Sequence, residues 1–397
     1  MNFRLIGLIG LIGLIGPRGN CYAQEVVDSG IVFRLDAKGF FYDNEYSGNR
    51  MTGYTLPGFT LQPKIVWGVN DHVSLKVGVH WLHYWGAHGY PASTFDTPWP
   101  AVGDTGTTAV HILPWVQLSS TWGNLDEGFR VELGSLCTSD HGLPLPLFNR
   151  ERLFATDPEA GFALRYWNPW LKAEVWCDWR NFIWYGSSTR ESLTAGAHIH
   201  FSLFGHKETN DWILYIPLTL VGQHSGGQGR ATWSPGLRSF NATAGIVFSH
   251  QLFGSKSWTE GSSFDIGCHV AAFGQGGHTE IPFNRGWGIY PEVAFEYKNF
   301  EINAGYWYGK DFVPLLGSWH FSNLSAASPW LTIDRNKVIT VGIEYTSLYF
   351  NDLSQLTFEA RLYHYLEATG NDGNVHSARN QFSIGCILNV FPSIRLR

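Results

Sequence analysis

The sequence predicts an all-β fold, a transmembrane antiparallel up-and-down β-barrel of about 16 strands that follows a cleaved signal peptide. Three observations support this prediction. Hydropathy alternates with a period of two, the apolar phase carries no charge at any predicted strand centre, and aromatic residues are as frequent as charged ones. Charged residues make up 15% and aromatic residues 16% of the 397 residues, whereas soluble domains carry roughly 25% charged residues.

The period of two is clearest in residues 171–180. One phase reads Leu171, Ala173, Val175, Cys177 and Trp179, and the other reads Lys172, Glu174, Trp176, Asp178 and Arg180. Successive side chains of a strand point to opposite faces, so one face here is apolar and the other polar. Because a Lys or Arg that faces lipid at mid-membrane costs about 2–4 kcal/mol, an uncharged outer phase is typical of a barrel wall.

Sixteen such strands are predicted between residues 31 and 391. Short links near residues 70–71, 168–169, 298–299 and 351–352 alternate with long segments at 85–108, 137–158, 223–239, 274–286, 310–337 and 366–380. Bacterial barrels combine short periplasmic turns, long extracellular loops and an even strand number. We therefore expect strands 1 and 16 to pair and both termini to lie on the periplasmic side.

Proline provides a test of these strands. Pro63, Pro114, Pro217 and Pro291 lie inside predicted strands. Proline cannot donate a hydrogen bond to the ladder, so we expect bulges at these four positions. A four-bladed propeller is the alternative fold with the same strand number, but it does not explain an uncharged outer phase.

Composition excludes two other classes of protein. A helical membrane protein needs about 20 consecutive apolar residues for each span, and the chain beyond the leader has no such run. The net charge of −6 argues against nucleic acid as a partner, because nucleic-acid binding requires a basic patch.

The first 23 residues have the pattern of a signal peptide. Arg4 precedes a short apolar repeat, and Cys21-Tyr22-Ala23 places small residues at −3 and −1 of a cleavage site. Residues 1–23 are thus the expected signal peptide and residues 24–397 a single barrel domain. The other cysteines show no metal-type spacing, and we expect no cofactor and no metal site.

Residues 137–158 form a segment too apolar for a solvated loop. We expect this loop inside the lumen as a constriction, with its apolar side chains on the wall and Arg150 and Arg152 near the passage, facing water. Packing against other extracellular loops or against a partner is the alternative. The constriction residues are Leu143, Leu145, Phe148, Arg150 and Arg152.

Charges on the inward phase separate into two groups. A basic lumen wall is predicted from Arg34, Lys38, Lys64, Lys76, Arg130, Arg165, Lys172 and Arg180. An acidic lumen wall is predicted from Asp265, Glu292, Glu296, Glu301, Glu344 and Glu359. In a sixteen-stranded barrel, strands eight apart face each other, so we expect these walls to set up a transverse field across the pore.

Short motifs give the chain a family resemblance. Phe40-Phe41-Tyr42-Asp43-Asn44-Glu45-Tyr46, Leu143-Pro144-Leu145-Pro146 and Arg190-Glu191-Ser192 resemble segments of porin-like outer-membrane β-barrels of the Bacteroidota type. The resemblance implies an integral protein of the outer membrane of a Gram-negative bacterium, in contact with outer-membrane lipids. It implies no substrate.

The functional hypothesis is a channel for passive diffusion of small hydrophilic solutes, since sixteen strands enclose an aqueous lumen. The alternatives are a structural or export subunit of an envelope assembly or polysaccharide transport complex, and an outer-membrane hydrolase. Ser139-Asp140-His141 contains triad residue types, but adjacency in sequence is not triad geometry. We therefore expect no enzyme and no catalytic residue. A homo-oligomer or an envelope-complex partner is left open.

Overall fold

In a computed structural model, the strands close into one antiparallel barrel. The structure describes residues 30–86, 110–124, 126–137, 139–181, 191–205, 211–226, 237–252, 262–276, 281–328, 330–350 and 353–396. The predicted signal peptide and parts of several long loops lie outside these residues. So does the link at 253–261, which the sequence makes longer than other turns.

Nineteen strands occur in the described part of the chain. They are β1 (Gly30–Glu45), β2 (Tyr54–Gly68), β3 (Val73–Tyr84), β4 (Val110–Gly123), β5 (Gly128–Leu136), β6 (Glu159–Trp167), β7 (Leu171–Asn181), β8 (Glu191–Phe204), β9 (Trp212–Gly226) and β10 (Leu237–Gln251). They continue with β11 (Ser262–Gly276), β12 (Arg285–Tyr297), β13 (Phe300–Lys310), β14 (Arg335–Tyr349), β15 (Ser354–Tyr365), β16 (Ala368–Thr369), β17 (Val375–His376), β18 (Arg379–Val390) and β19 (Ser393–Arg395). One short helix, α1 (Arg152–Ala155), lies between β5 and β6. The described residues include no helix long and apolar enough to cross a bilayer.

The barrel closes where its first and last strands meet. Each strand from β1 to β14 pairs with the next, β15 pairs with β18, and β1 lies between β2 and β18. Phe41, for example, lies opposite both Pro57 and Cys386. Beyond Pro392 the chain continues along β1 as β19, where Val32 lies opposite Arg395. Because β18 and β19 occupy one position, the barrel has sixteen strands, and the predicted pairing of strands 1 and 16 is confirmed.

Side chains alternate between the two faces of the wall as predicted. In β7, Glu174 and Trp176 are buried inside, whereas Val175 between them is 46% exposed on the outer face. The outer face carries many such large apolar side chains. Their exposure is costly in water but favourable in lipid, so this face suits the hydrocarbon of a bilayer.

The expectation of bulges at the four prolines is wrong. The register is the same on both sides of Pro63 and of Pro217, where only a few pairs are missing from one ladder. Pro114 and Pro291 lie in register opposite Val79 and Cys268. The ladder tolerates a missing donor without inserting a residue. Register shifts occur instead in β7 and β8.

The two ends of the barrel differ. The short turns and both described chain ends lie at one end, which we call the turn end, and the long connections lie at the other, the loop end. Large aromatic residues such as Trp122, Trp170 and Tyr297 are exposed near the turn end, as expected of side chains at a membrane interface.

Candidate functional site

Inner loop 1, residues 137–158 without the undescribed residue 138, lies inside the barrel. Its Phe154 ring packs on inward-facing rings of β1, with centroids 5.0 Å from Phe40 and 4.7 Å from Tyr42. The Tyr84 hydroxyl of β3 donates to the carbonyl of Ala155. Leu143 and Phe148 belong to the apolar cluster inside the barrel, and the half-buried Leu145 packs against it. Apolar side chains thus find cover in the lumen, as the sequence indicated.

Gly142 allows inner loop 1 to approach the wall. Its φ of +65° is left-handed, and a Cβ there would lie 2.4 Å from the ring of His198 in β8. Glycine has no Cβ and adopts this conformation without strain. A larger residue would push the loop away from β8.

A second segment fills the lumen from another side. Inner loop 2, residues 311–334 without the undescribed residue 329, buries Phe312, Val313 and Phe321 completely. It meets inner loop 1 at a parallel bridge between Phe148 and Leu316, where the Asn149 amide donates to the Leu316 carbonyl over 2.8 Å. The strand pattern predicts only a long connection at residues 310–337 and not its inward course. The apolar run Phe312-Val313-Pro314-Leu315-Leu316 is the signal that could have revealed it.

Arg150 forms the ionic centre of inner loop 1. Its guanidinium pairs with Glu344 of β14 and, over 2.8 Å, with Glu359 of β15. Burial alone would lower the pKa of Arg150, but the carboxylates of Glu359 and Glu344 outweigh it and raise the pKa above its usual range. The Arg150 cation therefore fixes the loop between two carboxylates of the wall.

Glu151 extends the attachment of inner loop 1 from β14 and β15 to β1 and β2, across the closure of the barrel. Its carboxylate accepts hydrogen bonds from the Asn44 amide of β1 over 2.9 Å and from the Tyr54 hydroxyl of β2 over 2.7 Å. Near it, the Lys38 ammonium donates to the Leu153 carbonyl over 2.8 Å. Hydrogen bonds to charged groups are worth about 1.5–3 kcal/mol each, so these contacts hold the loop firmly.

His141 is held in the same loop between two carboxylates. Its Nε2 lies 3.0 Å from Glu159 and its Nδ1 lies 3.4 Å from Glu174, while its ring stacks on Trp176 at 3.9 Å. Burial lowers its pKa, but the two carboxylates outweigh burial and raise the pKa of His141 to about 10. His141 is thus an imidazolium at neutral pH.

Ser139 completes an arrangement that looks like a triad. Its hydroxyl lies 3.1 Å from Nδ1 of His141 and accepts from the His141 backbone amide over 3.2 Å. A general base must be neutral to take the serine proton, and the pKa of His141 keeps it charged. Ser139 is also 1% exposed. The group is therefore a buried ion pair with a capped turn.

The predicted basic wall is paired on its own side of the lumen. Asp36 pairs with Arg34 over 2.7 Å and with Lys64 over 2.9 Å. Glu132 contacts Arg130 over 2.7 Å and also contacts Arg165. Further along, Arg165 pairs with Glu174 and Arg180 with Asp178, while Lys76 and Lys172 are half-buried on the inward phase of β3 and β7.

The predicted acidic wall is paired in a different way. Glu344 and Glu359 bind Arg150 of inner loop 1, and Glu292 lies 2.9 Å from Nε2 of His269. Glu301 accepts from the Asn303 amide over 3.1 Å. Asp265 is buried on the inward phase of β11 and Glu296 is half-buried on that of β12. Local pairs thus neutralise much of each wall, and the field across the pore stays a prediction.

The expectation that the charged residues of inner loop 1 face water is wrong. Arg152 and Glu151 are buried, and the Arg150 side chain is only 13% exposed. The reason is that the wall supplies opposite charges and hydrogen-bond partners at the height where the loop enters. A cavity of about 20 Å³ lies beside Arg150 and Glu151, lined also by Tyr42 and Tyr54. It has room for about one water molecule.

Comparisons with known proteins place the chain in a family. A family model described as Lipid A 3'-O-deacylase-type matches residues 24–397. The chain belongs to this family. No curated protein matches the chain.

Solved structures of outer-membrane proteins resemble the barrel. OccAB1 of Acinetobacter baumannii is 9% identical, with a TM-score of 0.50 over 94% of this chain and 99% of that chain. OpdK of Pseudomonas aeruginosa, solved with vanillate, is 13% identical, with a TM-score of 0.49 over 92% of this chain and 99% of that one. At such low identity the likeness to OccAB1 concerns the fold alone. Together with the apolar outer face, it identifies an integral β-barrel of a Gram-negative outer membrane.

Proposed function

We propose that the barrel is a porin-like channel for small hydrophilic solutes, with a passage narrowed by the two inner loops. The observation that carries this proposal is the course of inner loop 1, which crosses the lumen from Glu159 in β6 to Glu344 in β14. Inward-folded loops make a wide barrel selective because solutes pass only beside them. We further propose a source among the Bacteroidota, which the short sequence motifs support.

Single-channel conductance in planar bilayers tests the channel. We expect a small, ohmic conductance for the wild-type barrel and a several-fold larger one after deletion of residues 142–154. Asp71→Asn, at an exposed residue of the turn between β2 and β3, is the control and should leave the conductance unchanged. If the deletion variant does not fold, Arg150→Gln provides the second test, since it releases the same loop.

An ion-tight barrel in every one of these variants would remove the channel from consideration. An open wild-type channel whose conductance is unaffected by the deletion would instead place the conducting path away from inner loop 1. The charge-selectivity of the same channels tests the acidic wall. Replacement of Glu292, Glu296 and Glu344 with Gln should shift the reversal potential in a salt gradient towards anion selectivity.

Ester hydrolysis on lipid A is the second candidate, favoured by the match of the family model to residues 24–397. Our primary proposal assigns no catalytic step to the chain, because the serine–histidine pair of inner loop 1 lacks a neutral base. Incubation of the folded barrel with lipid A, followed by mass spectrometry, distinguishes the channel from the enzyme. Loss of one acyl chain would establish the enzyme, and intact lipid alongside conductance would support the channel.

A structural or export subunit of an envelope complex is the third candidate function. It needs a partner in the envelope, so affinity purification from intact membranes should recover a stoichiometric protein. Recovery of the barrel alone or as a homo-oligomer would count against it.

A further inference from the structure

A small sheet lies beyond the loop end of the barrel wall, where inner loop 2 meets the connection between β15 and β18. It consists of β16, β17 and the stretch of inner loop 2 at residues 331–333, which together we call the cap sheet. Thr369 of β16 lies opposite Val375 of β17, and Gly370 forms an antiparallel bridge with Ile333. Backbone contacts thus join the two connections above the wall.

One face of the cap sheet is packed and the other is open to water. Leu331, Ile333 and Ala368 are buried together on the packed face. Side chains of extended segments alternate between the two faces. The open face therefore carries Trp330, Thr332, Thr369 and Val375. Trp330 is 82% exposed and Val375 is 62% exposed, so the open face presents an uncovered indole ring.

Hydrogen bonds fix the backbone on which this indole stands. The Asn371 side chain donates to the Trp330 carbonyl over 2.8 Å and accepts from the Thr332 amide over 3.1 Å. The Leu331 amide donates to the Ser328 carbonyl over 2.9 Å. Within the part of the chain that the structure describes, the Trp330 ring stacks on no other ring. A ring on a fixed support is preorganised for a ligand, because little freedom is lost on binding.

Polar side chains at the tip of the hairpin β16–β17 are also fixed. The Asp372 carboxylate accepts from the Asn374 side-chain amide over 2.9 Å and from its backbone amide over 3.0 Å. Counted from the bridge between Ile333 and Gly370, Trp330 and this tip are each about three residues away along adjacent segments. The indole and the polar tip therefore lie at the same end of the cap sheet.

The cap sheet lies outside the hydrocarbon of the membrane. Across β12–β14, Lys310 lies opposite Trp287 on one side and Arg335 on the other. Exposed aromatic and basic residues at the end of a wall are typical of the membrane interface. Trp330 precedes Arg335 in the chain, on the side away from the membrane. Lipid does not explain the exposure of its indole.

Size and charge of the open face restrict the kind of ligand. Its apolar part consists of two large side chains, far less than the roughly 800 Å² that each partner buries in a stable protein interface. The nearby charges are mixed in sign, since Asp334 lies 3.7 Å from Arg335 and Asp372 lies 3.4 Å from His376. An ion of either sign therefore finds no excess of opposite charge. A small neutral ligand with apolar and hydrogen-bonding faces suits this surface.

We propose that the cap sheet binds a neutral saccharide chain outside the cell, with one sugar ring stacked on Trp330 and its hydroxyls bonded to Asp372 and Asn374. A pyranose whose hydroxyls are equatorial has a flat face of C–H groups that fits an indole ring. Its hydroxyls donate to a carboxylate and accept from an amide. The site lies outside the lumen and does not depend on whether the lumen conducts.

Saturation-transfer NMR of cellohexaose with the folded barrel, in a detergent without a sugar headgroup, measures this binding. We expect a Kd of about 1 mM for the wild type. Stacking adds to the burial of the ring, so Trp330→Ala should raise the Kd at least about tenfold. Trp330→Tyr, which keeps an aromatic face, should retain most of the binding. Trp85→Ala is the matched control at another exposed tryptophan of the loop end, and it should bind like the wild type.

The polar contacts are tested by Asp372→Ala/Asn374→Ala, which should raise the Kd several-fold while the same sugar protons still receive saturation. Absence of saturation transfer to cellohexaose in the wild type would overturn the proposal, and so would equal binding by the wild type and Trp330→Ala. Sedimentation provides the test of another occupant. A wild-type dimer that Trp330→Ala dissociates would also overturn the proposal, because the open face would then bind a second copy of the chain.

Discussion

The two inner loops fill the same lumen by different chemistry. Inner loop 1 is held by charge, with Arg150 between two glutamates and His141 between two others. Inner loop 2 is neutral where it is buried, with Phe312 and Phe321 completely enclosed. A buried charge keeps its place only while its partner is charged, whereas apolar packing and neutral hydrogen bonds need no charged partner. Inner loop 1 is therefore attached by ion pairs and inner loop 2 by neutral contacts.

Amide side chains take the place of ions in inner loop 2. The Asn323 amide donates to the carbonyls of Ile333 over 2.7 Å and Gly309 over 3.1 Å, and its oxygen accepts from the Phe312 amide over 3.0 Å. From β10, the Asn241 oxygen accepts from the Leu315 amide over 2.7 Å. Backbone groups that the irregular loop cannot pair are thus satisfied by neutral partners.

The largest effect is expected from Arg150→Ala. It removes the guanidinium that binds both the half-buried Glu344 and the buried Glu359, and breaking a buried pair costs about 3–5 kcal/mol. The measurement is equilibrium urea unfolding of the barrel in lipid vesicles. Arg335→Ala, at an exposed arginine, should change the unfolding free energy by less than about 0.5 kcal/mol. Equal effects of the two variants would contradict an ionic attachment of inner loop 1.

The next largest effect is expected from pH, on which the stabilities of the two loops depend in opposite directions. With its pKa raised to about 10, His141 gives inner loop 1 stability that is full below about pH 6.5, its unfolded value, and is lost as the pH rises towards 10. Burial lowers the pKa of His320 in inner loop 2 to about 3. Its contribution is full above about pH 6.5 and is lost as the pH falls towards 3.

Amide hydrogen exchange, corrected for intrinsic rates, can follow each loop separately. Inner loop 1 should open more readily at about pH 9 than at pH 7, and inner loop 2 more readily at about pH 5. His141→Gln should abolish the faster exchange of inner loop 1 at about pH 9 and should not affect the faster exchange of inner loop 2 at about pH 5. Parallel pH profiles in both loops would show that they open as one unit.

A smaller effect is expected from Asn323→Ala in inner loop 2. It leaves buried backbone groups without partners, which costs about 1–3 kcal/mol, and the loss should be the same in low and high salt. Asn371→Ala, which removes an exposed amide that donates to the Trp330 carbonyl, is the control. A loss that varied strongly with salt would mean that inner loop 2 also relies on charge.

The smallest effect is expected from Ser139→Ala. The variant loses the hydrogen bond that the Ser139 hydroxyl accepts from the His141 amide, worth about 0.5–1.5 kcal/mol. Nδ1 of His141 also loses the hydroxyl but keeps Glu174, so both ion pairs of His141 remain. Conductance should not change. If the wild type deacylates lipid A, Ser139→Ala should do so at the same rate, and a large loss of that activity would establish Ser139 as a nucleophile despite its burial.

The sequence by itself determined which face of each strand meets lipid. The alternation in residues 171–180 fixes Val175 outside and Glu174 inside because side chains of a strand alternate strictly. It also placed β7 at 171–181, as observed, and it indicated cover for the apolar side chains of residues 137–158. These are local properties, readable from a few consecutive residues.

Only the tertiary structure decided the partners inside the lumen. Arg150 and Glu344 are 194 residues apart, and their meeting depends on barrel closure, strand register and the path of a loop without regular structure. The same long-range geometry buried the charges of inner loop 1 and brought inner loop 2 against it at Leu316. Hydropathy indicates which face of the wall a side chain takes. Its contact partner inside the lumen depends on the register between strands, and strands far apart in the sequence determine that register as much as neighbouring ones do.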